Sequence, residues 1–128
     1  MDSKSVAVLK KILQHTESVL AYCVDCDTRE EFEENKMRVE ATVFNLMQIG
    51  ELAKESLDDE TKNQIISIPW RQIYGLRNRI VHGYSGVNMQ IVWDTVKYDI
   101  PALQDEIKDY LTKTADIERK GEPDHDRA

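Results

Sequence analysis

A chain of 128 residues with 41% hydrophobic and 32% charged residues suits one domain with a buried core and leaves little room for a second. Its five glycines and three prolines indicate a helix-rich globular protein and exclude a disordered one. No apolar run approaches the roughly 20 residues of a membrane span, and the N-terminal residues lack the apolar core of a signal peptide. We therefore expect a cytoplasmic protein with no membrane partner.

The charges are unevenly distributed along the chain. A net charge of −7 argues against a polyanionic partner, yet residues 61–93 contain no Asp or Glu. The same segment contains four basic residues, Lys62, Arg71, Arg77 and Arg79. The other residues then carry −11, which is −7 minus +4. Such a basic island fits a local anion site, and a helix face that complements acidic neighbours explains it equally well.

The pattern of apolar residues is helical from the start of the chain. In the first segment they recur at spacings of three and four, at Val6, Leu9, Ile12, Leu13, Val19 and Leu20. After a turn at residues 25–28, a long second helix is predicted roughly from Arg29 to Leu57. Gly50, in the middle of that helix, indicates a close approach of another backbone.

Cys23 and Cys26 form a single CxxC pair in the first turn region. A structural zinc site needs four ligands, and no second such pair exists to complete one. We therefore predict no metal and no cofactor, and interpret the pair as two reduced thiols. A cross-link under oxidation, or a site shared across a dimer, remains open.

The second half of the chain continues the helical pattern. A short helix over residues 58–67 has Asp59 as its predicted N-cap, and Pro69 suits the first position of the next helix. Asn88 is the predicted cap of a last helix, which Pro101 should kink or divide.

No strand pattern occurs, so we predict an all-α fold, an antiparallel bundle of four to five helices. We place this domain in residues 1–113, followed by a polar tail in residues 114–128.

The stretch IPWRQIYGLRNRIVHGY, residues 68–84, is the most informative part of the sequence. At helical spacing its predicted core face consists of Trp70, Ile73, Leu76 and Ile80. Arg71, Asn78 and His82 cluster on the opposite side, and Arg77 lies at the edge of the apolar stripe. An arginine in that place needs an anion or an interface, and Asp94 is one candidate partner for the basic island. We interpret Glu51, upstream, as an exposed surface charge.

The side chains of His82 and Arg77 suit complementary roles in one reaction. An imidazole acts as general acid or base near neutral pH, and a guanidinium stabilises charge on a phosphate. Together they suit metal-free cleavage of RNA, in which the 2′-hydroxyl attacks the adjacent phosphate. The structural alternative is a histidine that caps a helix end and an arginine in a salt bridge.

The segment RNRIVHGY matches the R-x4-H-x-Y signature of HEPN-domain toxins of the HepT type, which pair with minimal nucleotidyltransferase antitoxins. The flanking stretches IGELAKES and VWDTVKYDIPAL also resemble that family, so the resemblance covers roughly residues 6–111. It implies a helical bundle, a homodimer with both motifs near the interface, and a metal-independent ribonuclease acting on tRNA or mRNA in a type VII toxin–antitoxin system.

The resemblance also implies roles for individual residues. Arg77 and His82 are the expected catalytic pair, and Asn78 assists them. Tyr84 supports the site and is the expected position at which the antitoxin attaches AMP. Arg71 and Arg79, in the basic island, are possible contacts to substrate phosphates.

Two other classes of function fit the same residues. A non-catalytic HEPN module would use the Arg77–His82 pocket only to bind a nucleotide or a partner protein, together with a nucleotidyltransferase. A structural helical dimer would show neither cleavage nor nucleotide affinity. The complete R-x4-H spacing favours the enzyme, because a scaffold has no need of His82.

Overall fold

The computed structural model describes residues 3–83 and 87–121, and every regular element within those ranges is helical. The helices are α1 (Ser3–Tyr22), α2 (Arg29–Glu33), α3 (Lys36–Glu51), α4 (Asp59–Gln64), α5 (Trp70–His82), α6 (Met89–Asp94) and α7 (Ile100–Gly121). Two π-helical turns, Leu52–Ser56 and Thr95–Asp99, extend α3 and join α6 to α7. The prediction of an all-α bundle is confirmed.

The long helices pack around one core. Helix α1 lies against α3 and α7, and α3 lies against α5. The apolar positions at helical spacing face inward, and the side chains with no exposed surface include Leu9, Ile12, Val19, Phe32, Val92 and Ile107. Burying each of them stabilises the fold by about 1.5–3 kcal/mol. None of the described helices combines the length and apolar character that crossing a membrane requires.

The prediction of one long helix over residues 29–57 is wrong, because this segment contains two helices, α2 and α3. The break is at Asn35, whose side-chain oxygen accepts a hydrogen bond from the Arg38 backbone N–H at 3.1 Å and so caps α3. Asparagine competes with the helix for backbone donors in this way. The Arg38 guanidinium then fixes the junction by donating to the carbonyls of Tyr22 and Glu31, at 2.9 and 3.2 Å.

Helix α4 is capped by Asp58, one residue before the predicted Asp59. The Asp58 carboxylate accepts a hydrogen bond from the Thr61 backbone N–H at 2.7 Å, and one from the Ser5 hydroxyl at 2.8 Å ties α4 to α1. These hydrogen bonds, chiefly those from Thr61, hold the pKa of Asp58 below its usual value, because they stabilise the charged carboxylate.

The last helical segment is divided as the sequence predicts. Asn88 caps α6, since its side chain accepts a hydrogen bond at 2.8 Å from the backbone N–H two residues on. The turn Thr95–Asp99 precedes Pro101, and its wider backbone accommodates a ring that lacks an N–H and crowds the carbonyl four residues earlier. Helix α7 continues to Gly121, into the segment 114–128 for which the sequence predicts a polar tail. The division into domain and tail stays a prediction.

Cys23 and Cys26 are buried free thiols in the turn that follows α1. The Cys26 backbone N–H donates to the Cys23 carbonyl at 3.0 Å, and the Cys23 sulfur lies 3.7 Å from the hydroxyl of Thr42. Burial raises the pKa of both thiols, because it disfavours the thiolate. The pair is therefore uncharged at neutral pH and contributes to the core.

Candidate active site

Helix α5 carries most of the residues that the sequence singles out. Pro69 lies one position before its first helical residue, and the Pro69 carbonyl accepts hydrogen bonds from the backbone N–H groups of Gln72 and Ile73 at 3.0 and 3.2 Å. The helix ends at His82, where Gly83 donates to the carbonyl of Arg79 at 3.1 Å. On its predicted core face Ile80 is buried, and Trp70, Ile73 and Leu76 pack half-buried against the core. Helix α5 is thus packed on the core through one face, and its opposite face lies at the surface.

The stem of Arg77 packs directly on α3 at Gly50. A Cβ atom placed on Gly50 would lie 2.4 Å from the Cβ of Arg77 and 2.8 Å from its Cγ. Only glycine allows two helices to approach so closely at this point, so the predicted close backbone approach is confirmed. Arg77 consequently runs along α3, and only 18% of its side chain is exposed.

The head of Arg77 is held between two side chains. Its Nε donates to Oε1 of Glu51 at 2.7 Å, and its Nη2 donates to the same oxygen. Its Nη1 donates to Oδ1 of Asn78 at 2.9 Å. The ion pair is partly shielded, since the Glu51 side chain is 34% exposed. The guanidinium is therefore oriented before any ligand binds.

Two predictions about acidic residues are corrected by this geometry. Glu51 is not a free surface charge, because it is the ion-pair partner of Arg77. Asp94 forms no ion pair with the basic island within the described ranges, and its carboxylate instead accepts a hydrogen bond from the side chain of Gln90 at 2.9 Å. No sequence spacing links Glu51 to Arg77, and the one available signal was its position immediately after Gly50.

His82 lies apart from Arg77 on the same helix. Its side chain is exposed, and no hydrogen bond or ion pair joins it to another residue within the described ranges. Five residues of α-helix rotate by about 140° and advance by about 7.5 Å, so Arg77 and His82 point to different sides of α5. His82 instead shares its side with Arg71 and Asn78. Tyr84 lies outside the described residues.

Lys62 has a structural role and does not belong to an open anion site, which corrects the predicted island. Its side chain is 13% exposed, and its Nζ donates to the hydroxyl of Tyr74 at 2.8 Å and to the carbonyl of Ala53 at 3.1 Å. Asp59 lies 3.6 Å from the same nitrogen. Lys62 therefore joins the turn after α3 to α5.

Arg71 and Arg79 are exposed on α5 and line a groove of about 460 Å³ between α3, α5 and the α6–α7 segment. The groove is mainly apolar, with Leu46, Ile49, Ile73, Leu76, Ile91, Ile100 and Leu103 among its lining residues. Asp99 also lines it, and burial, together with the nearby charge of Asp94, raises the pKa of Asp99. Arg71 and Arg79 thus lie on the wall of a concave, mainly apolar groove.

The described part of the chain contains no group of three or more His, Cys, Asp or Glu side chains arranged to hold a metal ion.

The structure distributes the predicted site residues over one helix and a neighbouring groove. Arg77 and Asn78 are in contact, His82 is at the end of the same helix, and Arg71 and Arg79 line the neighbouring groove.

Comparison with known proteins identifies the family. Residues 12–110 match the family described as “Ribonuclease HepT-like”. The chain is 34% identical over 105 residues to a “Putative RNase” of Caldanaerobacter subterraneus subsp. tengcongensis, across 82% of this chain and 92% of that protein. It is 32% identical over 123 residues to a “Putative RNase” of Methanocaldococcus jannaschii (95% and 98%). It is 34% identical over 79 residues to a “Probable ribonuclease HepT” of Thermococcus cleftensis (62% and 64%). No solved structure matches the chain significantly. The chain therefore belongs to the HepT-like ribonuclease family.

Proposed function

We propose that this protein is an endoribonuclease that cleaves RNA without a metal ion and uses Arg77 and His82 as its catalytic residues. The observation that carries the proposal is the arrangement on α5. The guanidinium of Arg77 is held by Glu51 and Asn78, and the same helix ends on an exposed imidazole. Membership of a ribonuclease family supports RNA as the substrate.

In the proposed reaction the ribose 2′-oxygen attacks the adjacent phosphorus. Its proton leaves to a base, the P–O5′ bond breaks, and the 5′-oxygen gains a proton. The products are a 2′,3′-cyclic phosphate and a 5′-hydroxyl end. His82 transfers protons, because imidazole exists in both forms near neutral pH. Arg77 donates N–H groups to the phosphate oxygens, on which negative charge increases in the transition state.

The separation of Arg77 from His82 supports an active site that is shared between two subunits. Because helix geometry separates the two side chains by about 140° around α5, we infer that one chain does not bring both to a single phosphate. A two-fold dimer would solve this by placing Arg77 of each subunit opposite His82 of the other. We therefore propose a homodimer in which the two motifs face a common cleft, with Arg71 and Arg79 as contacts for further phosphates.

Purified protein should cleave tRNA or mRNA in the presence of EDTA. The expected products carry 2′,3′-cyclic phosphate ends, because the nucleophile belongs to the substrate and needs no metal-bound water. The measurement is gel analysis of the fragments, with and without acid treatment that opens the cyclic phosphate. Fragments with 3′-hydroxyl ends would contradict the mechanism. Nucleotide binding without any cleavage would favour the non-catalytic binding module.

A regulatory partner completes the proposal. We infer a type VII toxin–antitoxin system, in which a minimal nucleotidyltransferase transfers AMP from ATP to the hydroxyl of Tyr84 and releases pyrophosphate. Tyr84 lies two residues after His82, so an attached adenylyl group would place a negative charge and a bulky base beside the catalytic histidine. In the proposed dimer that charge would lie opposite Arg77 of the other subunit, where it would occupy the guanidinium and repel the RNA phosphate.

Co-expression with the proposed nucleotidyltransferase partner should increase the mass of the chain by whole adenylyl groups and abolish cleavage. Intact-protein mass spectrometry measures this, and Tyr84→Phe is the matched control because it removes only the acceptor oxygen. An unchanged mass, or an increase that persists in Tyr84→Phe, would refute the assignment.

A further inference from the structure

We propose that Glu51 is a positioning residue for the ribonuclease reaction, one that holds Arg77 by one edge of its guanidinium and leaves the other edge for the substrate phosphate. The inference rests on the proposed function. It extends that function to a residue outside the R-x4-H motif, on a different helix. Its basis is the set of contacts around Arg77.

The hydrogen bonds of Arg77 divide its donors into two groups. A guanidinium has five N–H donors in a rigid plane. Glu51 accepts two of them, from Nε and Nη2, and Asn78 accepts one from Nη1. Within the described residues, two donors therefore stay without a partner, one on each terminal nitrogen. Bidentate binding of a phosphate uses one donor from each of two guanidinium nitrogens.

The backbone beside Glu51 is itself fixed. The π-helical turn Leu52–Ser56 follows Glu51 directly, and turns of this kind occur often at functional sites. Lys62 joins the Ala53 carbonyl in this turn to Tyr74, which lies on α5 one turn before Arg77. Two separate links thus connect the end of α3 to α5, and the Glu51–Arg77 pair is one of them.

The pairing also determines which kinetic constant should change. Because Glu51 offsets the charge of Arg77, the guanidinium attracts a distant polyanion weakly. Its contribution depends instead on where its free donors point when charge increases on the phosphate. Loss of orientation should then reduce kcat, whereas KM should change little.

Kinetics of three glutamate variants test the proposal. Glu51→Ala should reduce kcat by about 10²-fold, the scale of a misplacement near 1 Å. Glu51→Gln keeps an acceptor oxygen at the same position, so its kcat should stay within about tenfold of wild type, because a neutral hydrogen bond is roughly half as strong as a charge-assisted one. Glu40→Ala is the control, since Glu40 pairs with exposed Lys36 on the same helix, and its kcat should be unchanged. Equal kcat for Glu51→Ala and wild type would overturn the proposal.

A double substitution shows whether Glu51 acts through Arg77. Adding Glu51→Ala to Arg77→Ala should cause no further loss of kcat, because the residue to be positioned is already absent. A further loss comparable to that of Glu51→Ala alone would mean that Glu51 has an independent role, and the assignment as a positioning residue would fail.

A spectroscopic measurement separates this inference from the proposed activity. The Nε–H proton of Arg77 should exchange slowly with water in wild-type protein and in Glu40→Ala, because Glu51 accepts its hydrogen bond. In Glu51→Ala the exchange should be fast. The signal is assigned by its loss in Arg77→Lys. Fast exchange in the wild type would overturn the positioning role even if RNA is cleaved. Slow exchange without cleavage would support the positioning of Arg77 and refute the proposed function.

Discussion

Replacing His82 with alanine is expected to lower kcat for RNA cleavage by about 10²–10⁴-fold, the usual contribution of a proton-transfer group. The fold should be retained, because the His82 side chain is exposed and contacts no described residue through a hydrogen bond or ion pair.

Arg77→Ala should reduce kcat by about 10²–10³-fold through lost stabilisation of the phosphate charge. It keeps the Cβ that packs on Gly50, and Glu51 is partly exposed and can be solvated.

His15 provides the matched histidine control. It lies on α1, where its Nδ1 is 2.7 Å from Oδ1 of Asn45. His15→Ala should lower the free energy of unfolding by about 1 kcal/mol and leave kcat unchanged. Steady-state cleavage assays and urea unfolding measure both quantities for the two variants. Full cleavage by folded His82→Ala protein would remove His82 from the mechanism.

The same two inactive variants test whether the site is shared. When Arg77→Ala and His82→Ala chains are co-expressed and purified as a mixed dimer, one of the two sites combines an intact Arg77 with an intact His82. Part of the cleavage activity should therefore return. Two purified homodimers, mixed without exchange of subunits, should stay inactive. A mixed dimer without activity, or a fully active monomer in sedimentation, would contradict the dimer proposal.

Gly50→Ala is expected to weaken both the fold and the activity. The added Cβ would meet the Cβ of Arg77 at 2.4 Å, and neither atom can rotate away, because both are attached directly to their backbones. Overpacking of this kind costs about 1–3 kcal/mol, more than the roughly 0.5–1 kcal/mol that alanine gains over glycine within a helix. The free energy of unfolding should fall, and α5 should shift relative to Glu51, so kcat should fall too.

Gly75 supplies the comparison for that measurement. It is also a helical glycine, but a Cβ placed on it would meet no atom within 4 Å. Gly75→Ala should therefore raise the free energy of unfolding of the chain by about 0.5–1 kcal/mol. Denaturant titration of both variants measures the difference. Similar changes in the two would contradict the close approach of α3 and α5.

Local patterns predicted most of the fold. The apolar stripe of α1 and the cap at Asn88 depend on neighbouring residues, and the structure confirms them. The break at Asn35 was missed because the apolar spacing continues across it and no Gly or Pro marks it. Asparagine ends a helix only when its side chain captures a backbone donor, as it does with Arg38, and spacing alone does not reveal that competition.

The sequence predicted candidate residues for the site but not their connections. Arg77 stands out because a guanidinium at the edge of an apolar stripe needs a partner, and His82, on the opposite polar side, is singled out by the R-x4-H spacing. The partner of Arg77 is 26 residues away on another helix, and no periodicity relates two positions across a packed interface. For Lys62 the sequence suggested a connection that the structure does not show. Its position in the basic segment assigned it to an anion site, although its ammonium group donates hydrogen bonds to the Tyr74 hydroxyl and the Ala53 carbonyl.

The packing of α1 against α7 has a consequence for the order of events during synthesis. Gln104 of α7 donates to the hydroxyl of fully buried Thr16 of α1 at 3.3 Å, and Ile107 has no exposed surface. The part of α1 that faces α7 therefore stays uncovered until α7 has been synthesised. Residues 83–121 follow the end of α5, and at about 5–20 residues per second their translation takes seconds. A nascent chain that already contains all of α5 therefore still lacks the contacts between α1 and α7 that complete the core.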